Sequence, residues 1–280
     1  MPVRKHYQYG PVTGIKVGRL NQGVNTQFIV YHIQDTLIDT GPSNQWKHVK
    51  PFIEASNVRQ LLLTHHHEDH AGNAESIAKM LKLIPKAPKL AHKKLKSGYA
   101  TPFFQRLVWG SLKPVSEVHE LGDKEFLQDG SEIIPIHTPG HAKDLTVFYL
   151  PKQKFLFSGD LFIANRLKML RSDENLYDLL SSLKKALALD FEVMFCPHGG
   201  VIENGKVALK EKYDHILATC HQSQAEKANN QSLADITKKV LGDETFVGKL
   251  SGGNFCKENL IKQALEIPVA DFTGANAPQV

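Results

Sequence analysis

The sequence is poor in cysteine, in long apolar runs and in charge of one sign, and each shortage removes a class of protein. Three cysteines in 280 residues, Cys196, Cys220 and Cys256, cannot build a disulfide framework, so a hydrophobic core has to hold the fold. No apolar run is long enough to span a bilayer, and residues 1–10 lack the apolar centre of a secretory signal. These absences set the expectation of a cytoplasmic protein with no membrane partner. Internal repeats and low-complexity segments are missing too, which excludes a solenoid. Lys and Arg number 34 against 29 Asp and Glu, for a net charge of +5. That balance suits an anionic substrate but is too slight to argue for nucleic-acid binding.

What is there is ordinary globular composition, 41% hydrophobic, over a length that allows one large domain or two smaller ones. Segments 15–20, 24–33 and 36–41 read as strands, with Asn21-Gln22-Gly23 as a turn. Residues 44–55 place Trp46, Val49, Phe52 and Ile53 on one side of a helix. A strand over 58–64 and a helix over 71–83 follow. Further on, 89–91, 115–121, 124–127 and 132–137 read as strands, and 93–108 as a helical segment broken at Thr101-Pro102. A hairpin (145–150 with 155–157), a helix over 175–189 and a buried strand at 193–196 complete this α/β body. Beyond Ile202 strands nearly vanish, and 207–228, 233–241 and 259–265 take helical spacing, with 271–280 as a loosely ordered tail. The expected division is a body over 1–203 and a helical C-terminal extension over 204–280. Lys79, Lys82, Lys86, Lys89, Lys93, Lys94 and Lys96 form a basic run, read as a solvated face with a docking surface as the alternative.

The chemistry concentrates in Thr64-His65-His66-His67-Glu68-Asp69-His70-Ala71-Gly72, directly after the apolar Leu61-Leu62-Leu63. His65, His67, Asp69 and His70 form H-x-H-x-D-H, a set of imidazoles and carboxylate that suits zinc and also iron or manganese. His66 and Glu68 fall on the alternate positions and are read as non-ligands. Three further candidates, His141, Asp160 and His198, each follow a predicted strand in a short Gly-bearing segment. His137 lies one residue inside its strand and is read as structural.

These motifs resemble those of metallo-β-lactamase-fold hydrolases: Leu37-Ile38-Asp39-Thr40-Gly41, the H-x-H-x-D-H loop, Thr138-Pro139-Gly140-His141, Ser158-Gly159-Asp160 and Pro197-His198-Gly199. The resemblance spans roughly residues 15–200. It implies a four-layer αββα sandwich with two metal ions, zinc in the first instance. It assigns His65, His67 and His141 to one ion, Asp69, His70 and His198 to the other, and Asp160 to both. Asp39 would steady a ligand loop from outside. The implied reaction is hydrolysis by a metal-bridging hydroxide, with Asp69 orienting the nucleophile and shuttling a proton.

Within that family the bridging Asp160 and His70 favour the thioesterase and lactonase branches over zinc β-lactamases, which use a Cys in place of that Asp. His67 argues against flavodiiron proteins. The helical C-terminus resembles that of glyoxalase II-like members, where added helices cover the metal site. The expected partner is a small thioester, ester or lactone, with Arg166, Lys168 and Arg171 as contacts for an acidic tail. A single-strand ribonuclease, a mononuclear iron persulfide dioxygenase and a regulator that retains the metal site stay open. Substrate identity, native metal and oligomeric state are not legible here.

Overall fold

The computed structural model describes residues 3–20 and 26–273. The turn expected at Asn21-Gln22-Gly23 and residues 274–280 of the expected tail lie outside them. The chain divides into two compact units. The first comprises Met1–His137, Lys143–Ile163 and Phe191–Gly205, and the second Thr138–Ala142, Ala164–Asp190 and Lys206–Val280.

The first unit is built on two sheets. One has the order β1 (Val3–Tyr9), β2 (Val12–Gly18), β3 (Gln27–Ile33), β4 (Thr36–Ile38), β5 (Gln60–Leu62), β6 (Lys86–Ala87), β7 (His119–Glu120). It is antiparallel from β1 to β4 and parallel from β4 to β7. The other contains β8 (Glu125–Phe126), β9 (Glu132–His137), β10 (Thr146–Leu150) and β11 (Phe155–Phe157). Passing over β12 (Leu170–Arg171) of the second unit, it continues with β13 (Val193–Cys196) and β14 (Gly200–Ile202), in the order β14-β13-β11-β10-β9-β8.

Strand β3 shows why two layers form. Every residue in it is buried, and successive side chains point to opposite faces. Phe28 and Val30 enter a core with Val49, Phe52 and Ile53 of α1 (Trp46–Glu54). That core also holds Ile77, and beyond it Leu95 and Trp109. Ile29, Tyr31 and Ile33 face the other way, against Phe148, Phe157 and Phe195 of the second sheet. The Phe157 and Phe195 rings stack at 4.7 Å, and the Tyr31 hydroxyl donates to the Cys196 carbonyl at 2.9 Å. Burial of each such side chain is worth roughly 1.5–3 kcal/mol, and this double-sided core takes the place of disulfides. All three cysteines are free and buried.

Short helices follow the sheet strands: α2 (Glu68–Ala71) and α3 (Ala74–Leu81) after β5, then α4 (His92–Ser97) and α5 (Phe103–Trp109) after β6. Gly72, which joins α2 to α3, has no room for a side chain. A Cβ there would stand 2.3 Å from the Glu68 carbonyl oxygen and 2.6 Å from Ser43 N. Parallel pairing of β4 with β5, and of β11 with β13, sends the C-terminal ends of each pair in one direction. Asp39, the histidine loop, Asp160 and His198 all follow those ends.

Three expectations need correction. Strand β1 was not anticipated, because Val-Arg-Lys-His-Tyr-Gln-Tyr carries little β signal. It forms because all seven residues pair with β2. The strand expected at 89–91 is a single 3-10 turn, and the strand lies at Lys86–Ala87 instead. Pro88 has no N–H for the ladder and ends it. Of 115–121, only His119–Glu120 pairs as strand.

The second unit is mostly helical: α6 (Leu176–Leu187), α7 (Gly205–Ala228, all but its first residue), α8 (Leu233–Leu241), α9 (Phe246–Leu250), α10 (Lys257–Ala264) and α11 (Ala270–Thr273). Strand β12 pairs with β15 (Phe255–Cys256). Asn175 and Ser232 cap α6 and α8 by accepting from Asp178 N and Asp235 N. Gln263 ties α10 to α6, accepting from Leu176 N and donating to the Glu174 carbonyl. Along α7, Leu209, Tyr213, Ile216, Cys220 and Ser223 are buried at helical spacing. No helix among the described residues is long and apolar enough to cross a membrane.

Phe148 is fully buried between the two sheets. Phe148→Ala is therefore expected to destabilise the first unit by about 3–5 kcal/mol, read as a lowered midpoint in urea denaturation followed by tryptophan fluorescence.

Candidate metal centre

Asp39 is the first residue to place. It follows β4 with φ +57°, a left-handed conformation that Asp tolerates better than most residues. Its Oδ1 accepts from Thr64 N at 2.8 Å, and its Oδ2 accepts from Thr64 Oγ1 at 2.8 Å and from His70 Nδ1 at 2.7 Å. One buried carboxylate thus holds both ends of the histidine loop.

These bonds decide which imidazole nitrogens carry protons. Asp39 takes the His70 Nδ1–H, so the other nitrogen of neutral His70, Nε2, carries a lone pair. The Thr64 hydroxyl spends its one proton on Asp39 and lies 3.0 Å from His65 Nδ1. It therefore accepts the His65 Nδ1–H, and His65 Nε2 becomes the electron-pair donor. His198 Nδ1 donates to the Gln27 carbonyl at 2.7 Å, again exposing Nε2 as donor. The Phe28 ring braces His70 and His198 edge-on, at 4.7 and 5.6 Å.

The donor atoms converge. Ligand atoms of Asp69, His70, Asp160 and His198 all lie within 4.8 Å of one another, and so do those of His65, His67 and Asp160. His70 Nε2 is 3.1 Å from Asp160 Oδ1, His198 Nε2 is 3.2 Å from the same oxygen, and His65 Nε2 is 3.0 Å from His67 Nδ1. Two donors each about 2.0–2.1 Å from one tetrahedral ion stand roughly 3.3 Å apart, so the spacing fits shared coordination. Asp69 Oδ2 lies 3.6 Å from His198 Nε2 and 3.9 Å from His70 Nε2.

The donor chemistry fits a cation. Burial by itself would lower the His70 pKa, but the carboxylates of Asp160, Asp39 and Asp69 outweigh it and hold the value well above the usual histidine range. His198 is raised in the same way, with Asp160 and Asp69 overcoming burial and the repulsion of His70. A neutral imidazole that turns a lone pair on a carboxylate oxygen at about 3 Å needs positive charge between them. A proton or a metal ion supplies it, and nitrogen with oxygen donors suits zinc, iron or manganese alike.

His141 belongs to the second unit. Its Nδ1 is bonded to Glu174 Oε1 at 2.5 Å, which leaves Nε2 as its electron-pair donor. Glu174 is fixed in turn by the Arg171 backbone N–H at 2.9 Å. Of the three cations expected near an acidic substrate, Arg171 grips Asp173 through Nε at 2.9 Å and Nη2 at 2.7 Å. Arg166 and Lys168 are exposed in the second unit. His137 is bonded to the Lys143 carbonyl and is exposed, outside the clusters.

His66 and Glu68 turn away from the donor clusters and hold the loop from behind. Asp144 accepts from His66 N at 2.8 Å and from His66 Nδ1 at 2.8 Å, with both side chains buried. Burial would raise the Asp144 pKa, but the hydrogen bonds from His66 bring it below the ordinary value. Lys94, exposed as expected of a solvated lysine, also donates to His66 Nε2 at 2.8 Å. Tyr99 donates to Glu68 at 2.7 Å. Asp144, Glu174, Thr64 and the Gln27 carbonyl escaped the sequence reading. Asp144 follows His141 by three residues, a spacing that could have flagged it. A backbone carbonyl such as that of Gln27 leaves no trace in a sequence.

Residues 23–198 match the profile of the metallo-beta-lactamase superfamily. The chain is similar to a beta-lactamase-like protein 2 homolog of Caenorhabditis elegans, 24% identical over 86% of this chain and 81% of that protein. It is also similar to an atrochrysone carboxyl ACP thioesterase of Aspergillus fumigatus, 24% identical over 69% of this chain but only 56% of the thioesterase. Among solved structures, a beta-lactamase domain protein from Burkholderia ambifaria aligns with a TM-score of 0.70 at 15% identity, covering 93% of this chain and 87% of that one. At that identity the likeness concerns the fold.

Asp39→Asn replaces one acceptor oxygen with an N–H2 group facing two donors. It is expected to weaken metal retention roughly 10–100-fold in chelator competition. Asp144→Ala removes the rear clamp on the loop and should weaken retention in the same direction, with far-UV circular dichroism unchanged.

Proposed function

The chain belongs to the metallo-β-lactamase superfamily, a superfamily of hydrolases, and on that premise we propose that it is a dinuclear metal hydrolase acting on a small thioester, ester or lactone. The observation that carries this reading is the sharing of Asp160 Oδ1 between His70 Nε2 and His198 Nε2, with His65 and His67 beside the same aspartate. On this reading His65, His67 and His141 would hold one ion, Asp69, His70 and His198 would hold the other, and Asp160 would serve both, as the family resemblance implies. The thioesterase name of one fungal relative supports the acyl-substrate class. Free, buried cysteines accord with a reducing, cytoplasmic setting.

Two zinc ions, when bound, would supply a water that ionises near neutral pH and electrostatic stabilisation of the oxyanion. The chain's own groups do the rest. Asp39, Thr64 and Gln27 hold the imidazole tautomers, so that the donors need no rearrangement. Asp69, in the first turn of α2, is placed to orient the attacking water and to pass a proton to the leaving group. The two substrate types ask different things of it. A thiol leaves readily as a thiolate, whereas the far more basic alkoxide needs the proton. Arg166 and Lys168 remain candidate contacts for an anionic substrate.

Elemental analysis of protein purified without added metal is expected to give about two zinc ions per chain, with thioester turnover on the same sample. Asp69→Ala should lose roughly 10²–10⁴-fold in turnover with the fold intact, and more on an oxygen ester than on the matching thioester. About one iron per chain with persulfide-dependent oxygen uptake and no esterase activity would replace this reading with an iron dioxygenase.

A further inference from the structure

On β2 and β3, the face of the first sheet under α1 is apolar except at one end. Val17 pairs with Phe28 and Ile15 with Val30, all core residues. The next rung on that face breaks the pattern. Gln8 stands opposite Thr13 and Thr13 opposite His32, so a polar row crosses β1, β2 and β3. Hydrophobic packing does not call for such a row.

Above it, α1 turns Lys47 and Pro51 toward the sheet edge, one helical turn apart. On β1, Arg4 and His6 share the strand face that carries Gln8. These elements enclose a cavity of about 900 Å³, within the size range of small-molecule sites. Its wall carries Arg4, Lys47 and three imidazoles, His6, His32 and His48, and no carboxylate among the described residues. None of these residues belongs to the metal clusters.

The wall is also unsatisfied. His32 and His48 are 9% and 7% exposed, and Nε2 of each lacks a hydrogen-bond partner. Burial lowers the His48 pKa, and the positive fields of Arg4 and Lys47 add to that effect. Asp35 acts on His32 from outside the lining.

We propose that this cavity binds a small phosphoryl-bearing molecule, separate from the hydrolytic centre, with Arg4 and Lys47 meeting its charge and His6 and His48 donating N–H groups to its oxygens. The two cations come from different elements, a strand and a helix. A tetrahedral group with three terminal oxygens can meet both and still accept from an imidazole, whereas a planar carboxylate offers two oxygens in one plane. Ile15 and Phe52 supply an apolar wall for the rest of the molecule.

The test is a titration of the zinc-loaded full chain with inorganic phosphate, and in parallel with acetate, at constant ionic strength. Imidazole ¹⁵N resonances of His6 and His48 are the local readout, and those of the metal-loop histidines serve as an internal reference. Saturable shifts at His6 and His48 with phosphate are expected. Binding should weaken at least roughly tenfold in Arg4→Gln/Lys47→Gln, with thioester turnover unchanged. Both substituted residues are exposed, so the double variant should fold. Shifts that do not saturate, or that saturate equally in the double variant, would overturn the site. Acetate binding as tightly as phosphate would overturn the phosphoryl assignment.

Discussion

Asp39, Asp69 and Asp160 are buried among His65, His67, His70 and His198, a set of groups that cannot be removed from water without a compensating positive charge. The elevated His70 and His198 pKa values express that demand when only protons are available. A pair of divalent ions meets it more fully. Burial of this polar cluster therefore calls for positive charge, which protons or metal ions can supply. It would otherwise be a poor use of the space at the ends of β4, β5, β11 and β13.

The surrounding fold keeps that cluster in register. Parallel pairing of β4 with β5 and of β11 with β13 aligns the strand ends, and the two-sided core on β3 fixes the sheets that carry them. Direct bonds then join the loops to one another. Thr146 N donates to the Thr64 carbonyl at 2.9 Å, and Ile29 N to the Pro197 carbonyl at 2.7 Å. Phe28 links core to centre, since one ring packs beneath α1 and also braces two imidazoles. Preorganisation of this kind lets side chains aim at developing charge without reorganising during a reaction.

The polar cavity under α1 has the opposite electrostatic character. The candidate metal centre gathers carboxylates that call for cations, whereas this wall gathers cations and imidazoles with no lining carboxylate among the described residues. The cavity and the donor group Asp69, His70, Asp160 and His198 both lie in the first unit and share β3, through Phe28 and the Gln27 carbonyl at one end of the strand and His32 toward the other.

The amino-acid sequence alone singled out the histidine loop and the strand-end candidates Asp160 and His198, and the family resemblance supplied the expectation that Asp39 steadies that loop. These lie in short, contiguous motifs whose residue types are themselves the chemistry. It also determined β3 and α1, because alternation and helical spacing record burial directly. Tertiary structure decided what depends on distance between remote segments. Asp144 meets His66 across 78 positions and His198 meets Gln27 across 171, and neither pairing has a local signature. Lys94 is one of an exposed series, and only its place on α4 shows that it also reaches His66. Strand β1 exists through seven pairings with β2, although its own residues favour a strand only weakly. Propensity and pattern are properties of neighbours in the chain, whereas hydrogen-bond partners and the charge around a buried group are properties of neighbours in space.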